Sequence, residues 1–301
     1  MSAVPPPSMK GRVVVITGGT SGIGLETARA VAARGAHVVL VGRGDPRVHQ
    51  IAAELARTSG NPEVEGLAVS DLALRSEWTR VAQELLRRLP AIHVLINNAG
   101  AYFARRETTG EGLERTFALN VLAPLGLTLL LAERMRSSAP ARVVNVSSAA
   151  HLGESVHLDD LQGTQEFHGF RAYGRSKLEL ILLTRELARR LAGTGVTVNA
   201  LHPGFVRSGF GRNNGGGVAI AIRFFALIGG RSPRSGAQTS IYLACAPEVG
   251  SRSGEYFSRS RMTAASHAAG DAEMGRRLYD ACLPFLGLPT LPATLAAGGP
   301  R

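Results

Sequence analysis

Val13-Val-Val-Ile16 runs directly into Thr17-Gly18-Gly19-Thr20-Ser21-Gly22-Ile23-Gly24, and an alanine-rich stretch continues to Arg34. Four consecutive apolar residues read as a strand buried on both faces of a parallel sheet. The alanine-rich stretch reads as a helix that ends at Gly35. Between them, glycines permit a tight turn and let backbone approach a pyrophosphate, which gains from the free N–H groups and partial positive charge of a helix N-terminus. A glycine pattern alone is a weak signal; placed between a strand and a helix, it predicts a dinucleotide site.

Outward from this unit the same alternation repeats. His37–Val41 is the second strand, followed by a helix near 46–58, a strand near 63–69, a helix near 74–88 and a strand at Ile92–Ile96. A helix over about 112–136, the strand Arg142–Val146, a long helix containing Tyr173 and the strand Val196–Leu201 complete the series. Strand–helix–strand repetition at this spacing predicts an α/β fold, one doubly wound parallel sheet of the Rossmann type with helices on both faces. No linker-like stretch divides the chain. The expected organisation is a flexible proline-rich tail over 1–10, one domain over 11–288 and a second tail over 289–301.

Composition narrows the classes. The net charge is +11, yet the arginines are scattered and only 5% of residues are aromatic, so no basic–aromatic surface for nucleic acid emerges. Cys245 and Cys282 have neither metal-ligand nor redox spacing, and His151, His157 and His168 lack metal spacing too, so no metal is expected. The N-terminal residues do not form a secretory signal, and no run reaches the ~18–20 apolar residues of a membrane span. A cytoplasmic protein is the expectation.

The chemistry is expected at Ala172-Tyr173-Gly174-Arg175-Ser176-Lys177. On a helix, positions i and i+4 share a face, so Tyr173 and Lys177 can meet. A phenol titrates near pH ~10, and a neighbouring ammonium stabilises its phenolate. Lys10 and Lys177 are the only lysines in a chain that otherwise uses arginine, which points to a need for an ammonium at 177. At the end of the second strand, Val41-Gly42-Arg43-Gly44 has no acid at Gly42 and offers the Arg43 fork, which favours a 2′-phosphate over a free ribose 2′-hydroxyl. NADP(H) is therefore preferred, with NAD(H) possible.

The Thr-Gly-x-x-x-Gly-x-Gly spacing and these segments together resemble the short-chain dehydrogenase/reductase family over about residues 11–288. The resemblance implies cofactor contacts from Gly18, Thr20, Ser21, Gly22, Ile23 and Gly24, from Arg43, and from Asp71 and Leu72 beside the adenine. It adds Asn98, Ala99 and Gly100 of Asn97-Asn-Ala-Gly100, then Pro203, Gly204, Val206 and Ser208, with Tyr173 and Lys177 also touching the cofactor. It makes Asn120, Ser148, Tyr173 and Lys177 the catalytic set. Ser148 is favoured over Ser147 by its place after the fifth strand, and Asn120 is expected to hold a relay water that joins Lys177 to solvent. Within the family the chain is similar to retinol-dehydrogenase-like and WW-domain-oxidoreductase-like members.

The implied reaction is hydride transfer between a nicotinamide and a carbonyl or alcohol. Val218–Ile228, after the glycine-rich 211–217, falls where such enzymes place a lid over the substrate; its apolar character suits a lipophilic substrate, a membrane or partner contact, or core packing equally. A homo-oligomer is expected. Two rival readings are a dinucleotide-sensing protein that uses the fold without turnover, and a nucleotide-sugar epimerase or dehydratase, which shares the Tyr-x-x-x-Lys chemistry but usually has a larger C-terminal domain and a different glycine spacing.

Overall fold

The computed structural model describes residues 7–206 and 231–288. Its centre is one eight-stranded sheet in the order β3-β2-β1-β4-β5-β6-β7-β8. The strands are β1 (Val13–Thr17), β2 (His37–Arg43), β3 (Val64–Val69), β4 (Val94–Asn97), β5 (Ala141–Val146), β6 (Val196–His202), β7 (Tyr256–Ser258) and β8 (Arg261–Met262). All neighbours pair in parallel except β7 and β8. All five residues of β1 are buried, as its unbroken apolar run requires.

The helices are α1 (Gly22–Ala32), α2 (Asp45–Ser59), α3 (Arg75–Arg88), α4 (Arg115–Ser137), α5 (Gly169–Arg190), α6 (Pro233–Cys245) and α7 (Ala272–Leu286). Alternation along the strands sorts them into two layers. Val14 and Ile16 of β1 share a core with α1, α2 and α6, while Val13 and Val15 share the other with α3, α4, α5 and α7. The chain thus forms the doubly wound α/β sandwich expected of it. Its strand order reverses between β1 and β4, which leaves a crevice at the carboxyl ends of the strands.

Four features differ from the sequence reading. β2 extends two residues further, to Arg43, through register with Ala68 and Val69 of β3. Met9, expected in a flexible tail, is 5% exposed in the core beside α1, and its N–H donates to the Arg34 carbonyl at 2.9 Å. α4 is long and apolar enough to span a membrane, with 23 residues and a mean hydropathy of 1.6 over its most apolar stretch, yet that stretch is 83% buried inside the fold. It is a core helix. Of the additional elements, β7 and β8 close the far edge of the sheet, α7 covers α5, and α6 packs beside α1 on the opposite face.

Candidate active site

A cleft of about 940 Å³ opens at the β1/β4 switch point. Its floor is the glycine loop. Gly18 and Gly22 have φ of +65° and +55°, a backbone that side chains rarely adopt, and a Cβ on Gly24 would lie 2.3 Å from the Gly18 carbonyl oxygen. The loop is therefore a tight backbone cradle below the N-terminus of α1. Gly18, Thr20, Ser21, Gly22 and Ile23 line the cleft; Gly24 is buried beneath it. Thr17 joins loop to sheet, its hydroxyl accepting from the N–H groups of Asn98 and Ala99 at 3.0 Å each. The Asn98 side chain donates to the carbonyls of Thr17 and Gly18 at 2.9 and 3.2 Å. Asn98 therefore holds the cradle shut from behind while also bordering the cleft, as do Ala99 and Gly100.

Along the β2 wall, Arg43 is exposed, and Arg47 in the first turn of α2 reaches the same cleft. A Cβ on Gly42 would lie 2.3 Å from the Thr20 methyl group. Any side chain at that position would have to displace Thr20. Asp71 and Leu72 line the β3 end. The Asp71 carboxylate accepts from the Ala73 N–H at 2.9 Å and pairs with Arg115 at 2.5 Å.

Tyr173, Lys177 and Ser148 meet at the opposite end, all three lining the cleft. Gly174 makes this possible, because a Cβ there would lie 2.5 Å from the Ala150 carbonyl oxygen. The segment after β5 consequently packs straight onto α5, and the Ser148 hydroxyl hydrogen-bonds to the Tyr173 phenol. Ser147 points away and donates to the Lys177 carbonyl at 2.8 Å, a structural clamp. Two imidazoles fix the Ser148 turn. His151 bonds through Nδ1 to the Ser148 carbonyl at 2.6 Å, its Nε2 accepting from the Ser266 N–H at 3.1 Å. His202 Nδ1 accepts from the Ala149 N–H at 3.1 Å. Burial lowers the pKa of both, which suits the neutral rings these bonds require.

The electrostatics correct one expectation. Lys177 is 4% exposed, its Nζ donating to the Val146 carbonyl at 3.0 Å and lying 5.5 Å from the centroid of the Tyr173 ring. Burial pushes Tyr173 up to about 12, with the Ser148 hydrogen bond pulling the other way, and pushes Lys177 down to about 8. The protein alone does not make the phenol acidic. Desolvation outweighs the Ser148 hydrogen bond.

Asn120 is tied into the protein by its side chain. It sits fully buried in a π-helical turn of α4, Ala118–Leu122, behind the cleft wall. Its Oδ1 accepts from the Ala101 N–H at 3.0 Å, and its Nδ2 donates to the Ala101 carbonyl at 2.9 Å and the Ser176 hydroxyl at 3.0 Å. Both amide protons are used within the protein, so the side chain braces the segment after β4 against α5. A relay water is left only acceptor positions here. Gly100 leaves the room between these groups, since a Cβ would lie 3.1 Å from Asn120 Oδ1 and 3.2 Å from Lys177 Nζ.

Pro203, Gly204 and Val206 line the cleft after β6, while Ser208 and the 218–228 segment lie outside the described residues. Among the described residues, no three His, Cys, Asp or Glu side chains gather to hold a metal ion. Sequence reasoning did not single out Thr17, Arg47, Arg115, His151 or His202 for the site. Arg47, Thr17, His151 and His202 lie within a few residues of segments already singled out; Arg115 is joined to the site only by long-range packing.

Comparison with known proteins agrees with this architecture. A family model described as short chain dehydrogenase matches residues 12–216, and the chain belongs to that family of oxidoreductases. It is 40% identical to retinol dehydrogenase 12 of Mus musculus over 278 residues, 92% of this chain and 87% of that protein. It is 39% identical to retinol dehydrogenase 11 of Homo sapiens over 281 residues, 93% of this chain and 87% of that protein. The Pseudomonas aeruginosa RhlG/NADP active-site complex superposes with a TM-score of 0.66 at 27% identity, covering 85% of this chain and 97% of that one.

Proposed function

We propose that the protein is an NADP(H)-dependent oxidoreductase that interconverts a lipophilic aldehyde or ketone and its alcohol, with retinol-like compounds as the leading class. The observation that carries this reading is the convergence of Ser148, Tyr173 and Lys177 at one end of a cleft whose other end has a glycine cradle and two arginines. The cradle fits a dinucleotide because its backbone leaves no room for side chains at the loop. The relatives' names and the NADP of the solved neighbour support the substrate class and the cofactor. Phe170 and Phe205 line the same cleft while 64% and 53% exposed, an apolar rim suited to a lipophilic substrate. A binding-only role is not favoured, since the serine, the phenol and the ammonium are assembled together.

When bound, the nicotinamide supplies or accepts the hydride at its C4. The remaining work belongs to the chain. In reduction, Ser148 donates a hydrogen bond to the substrate oxygen as negative charge develops, and Tyr173 delivers its proton to that oxygen. Lys177 then faces a phenolate and stabilises it until a proton returns. In oxidation, the phenolate takes the alcohol proton. Burial holds the proton on the phenol, and positive charge near the ring favours its release. Free, buried Cys245 and Cys282 support an intracellular placement, and peripheral membrane contact and self-association remain part of this proposal.

The test is a substrate screen with NADPH and NADH in parallel, using retinal, aliphatic aldehydes of increasing chain length and polar aldehydes. Turnover should rise with chain length and favour NADPH. Turnover of polar aldehydes alone, or preference for NADH, would overturn the substrate class or the cofactor choice respectively.

A further inference from the structure

Arg115 has no place in the reading so far, yet it occupies a distinct position in the cleft. It opens α4, 44 residues after Asp71 in sequence, and reaches across to the end of β3. Its guanidinium bonds Asp71 Oδ2 at 2.5 Å and Glu107 Oε2 at 3.1 Å, and lies 5.1 Å from the centroid of the Phe103 ring. All four residues line the cleft. Asp71 is thereby held at two points, Oδ1 by the Ala73 N–H and Oδ2 by Arg115. A carboxylate fixed in this way keeps one free acceptor direction on each oxygen.

The rest of the slot indicates what meets those acceptors. The pyrophosphate belongs at the glycine loop after β1, and the adenosine ribose at Arg43 after β2. The next position along the sheet is the end of β3, where Leu72 and Leu119 of α4 both line the cleft and offer apolar surface to a flat base. At that depth the polar groups from β3 and α4 are Asp71 and Arg115. A carboxylate accepts from the exocyclic amine of adenine and repels the carbonyl oxygen that replaces it in hypoxanthine.

Asp71 beside the adenine is what the family resemblance implies; we propose that Arg115 is the positioning residue that locks this carboxylate in place and so sharpens its selection of the 6-amino group. This rests on the NADP(H) reading of the cleft. With the Ala73 N–H alone, Oδ2 could turn into water and lose its selectivity; with Arg115 it cannot without breaking the ion pair.

The experiment is calorimetric binding of NADP+ and of its deamino (hypoxanthine) analogue to the full chain and to Arg115→Leu and Arg115→Lys, with circular dichroism and melting temperature as controls for fold. The wild type should prefer the amino base about tenfold, the effect of one well-placed hydrogen bond. Arg115→Leu should bring the ratio of the two dissociation constants close to one, and Arg115→Lys should restore part of it. An unchanged ratio in Arg115→Leu overturns the proposal, as does an equal weakening of both ligands. Should the leucine variant not fold, the wild type still decides, since equal affinity for the two ligands refutes base selection. No binding of NADP+ at all would instead refute the cofactor reading.

Discussion

At the β2–β3 end of the cleft the lining cations are arginines in contact with water, Arg43 and Arg47 exposed and Arg115 partly so; at the β5–α5 end, among the described residues that line the cleft, the cation is one lysine, 4% exposed. The first set can anchor phosphate through rigid forks without losing hydration or shifting protonation. The second is a point charge taken out of water, and burial moves its pKa into reach of neutral pH. In the proposed reading, binding relies on charges that stay fixed, while at the buried end desolvation loosens the proton of Lys177 and holds that of Tyr173. The near absence of lysine elsewhere in the chain follows this division.

The largest expected break in this comparison is at the buried end. Tyr173→Phe removes the transferable proton and leaves the ring packed against Tyr102, whose edge lies 6.4 Å away between centroids. Turnover should fall by roughly 10²–10⁴-fold, while fluorescence titration still shows NADPH binding. Near-normal turnover would refute the assignment of the phenol.

At the exposed end, Arg43→Ala combined with Arg47→Ala should weaken NADPH by roughly 10–100-fold, the loss of charge-assisted phosphate contacts. NADH should change little. Because these groups are hydrated, the wild-type preference for NADPH should also shrink as salt rises. Equal loss of NADH and NADPH affinity would mean that the arginines act on something other than the 2′-phosphate.

The smallest effect concerns stability. Lys177 has a folded pKa of about 8 against 10.5 in the open chain, so between these values the unfolded state binds the extra proton. Stability therefore rises with pH across that window as the cost of burying the ammonium is relieved. Tyr173 acts oppositely, since the folded state keeps its proton between about 10 and 12 and stability falls there. Lys177→Met should remove the rise between pH 8 and 10.5, a change on the order of 1–3 kcal/mol in chemical denaturation. An unaltered rise in the variant would assign it to other groups.

Legibility followed range. β1, the glycine loop and α1 were readable because burial, turn and helix start each have a local signature within twenty-odd residues. Tyr173 and Lys177 were readable because one helical turn joins them. Asn120 was found as a residue but not as a brace, since its partners Ala101 and Ser176 come from two other segments. Met9 was read as tail because a single apolar residue beyond Pro5-Pro-Pro7 carries no periodicity, although it packs under α1.

By itself, the sequence determined the layer architecture, the cleft at the strand ends and the identity of the groups that can do the chemistry, because those depend on periodicity and on contacts within a turn or two. Only the tertiary structure decided which serine faces the phenol, that Thr20 closes the space above Gly42, that Arg115 holds Asp71, and how far burial moves Tyr173 and Lys177 from their ordinary titration. Each of those depends on what distant segments bring to within a few ångströms, and desolvation in particular belongs to the assembled interior rather than to any residue in the chain.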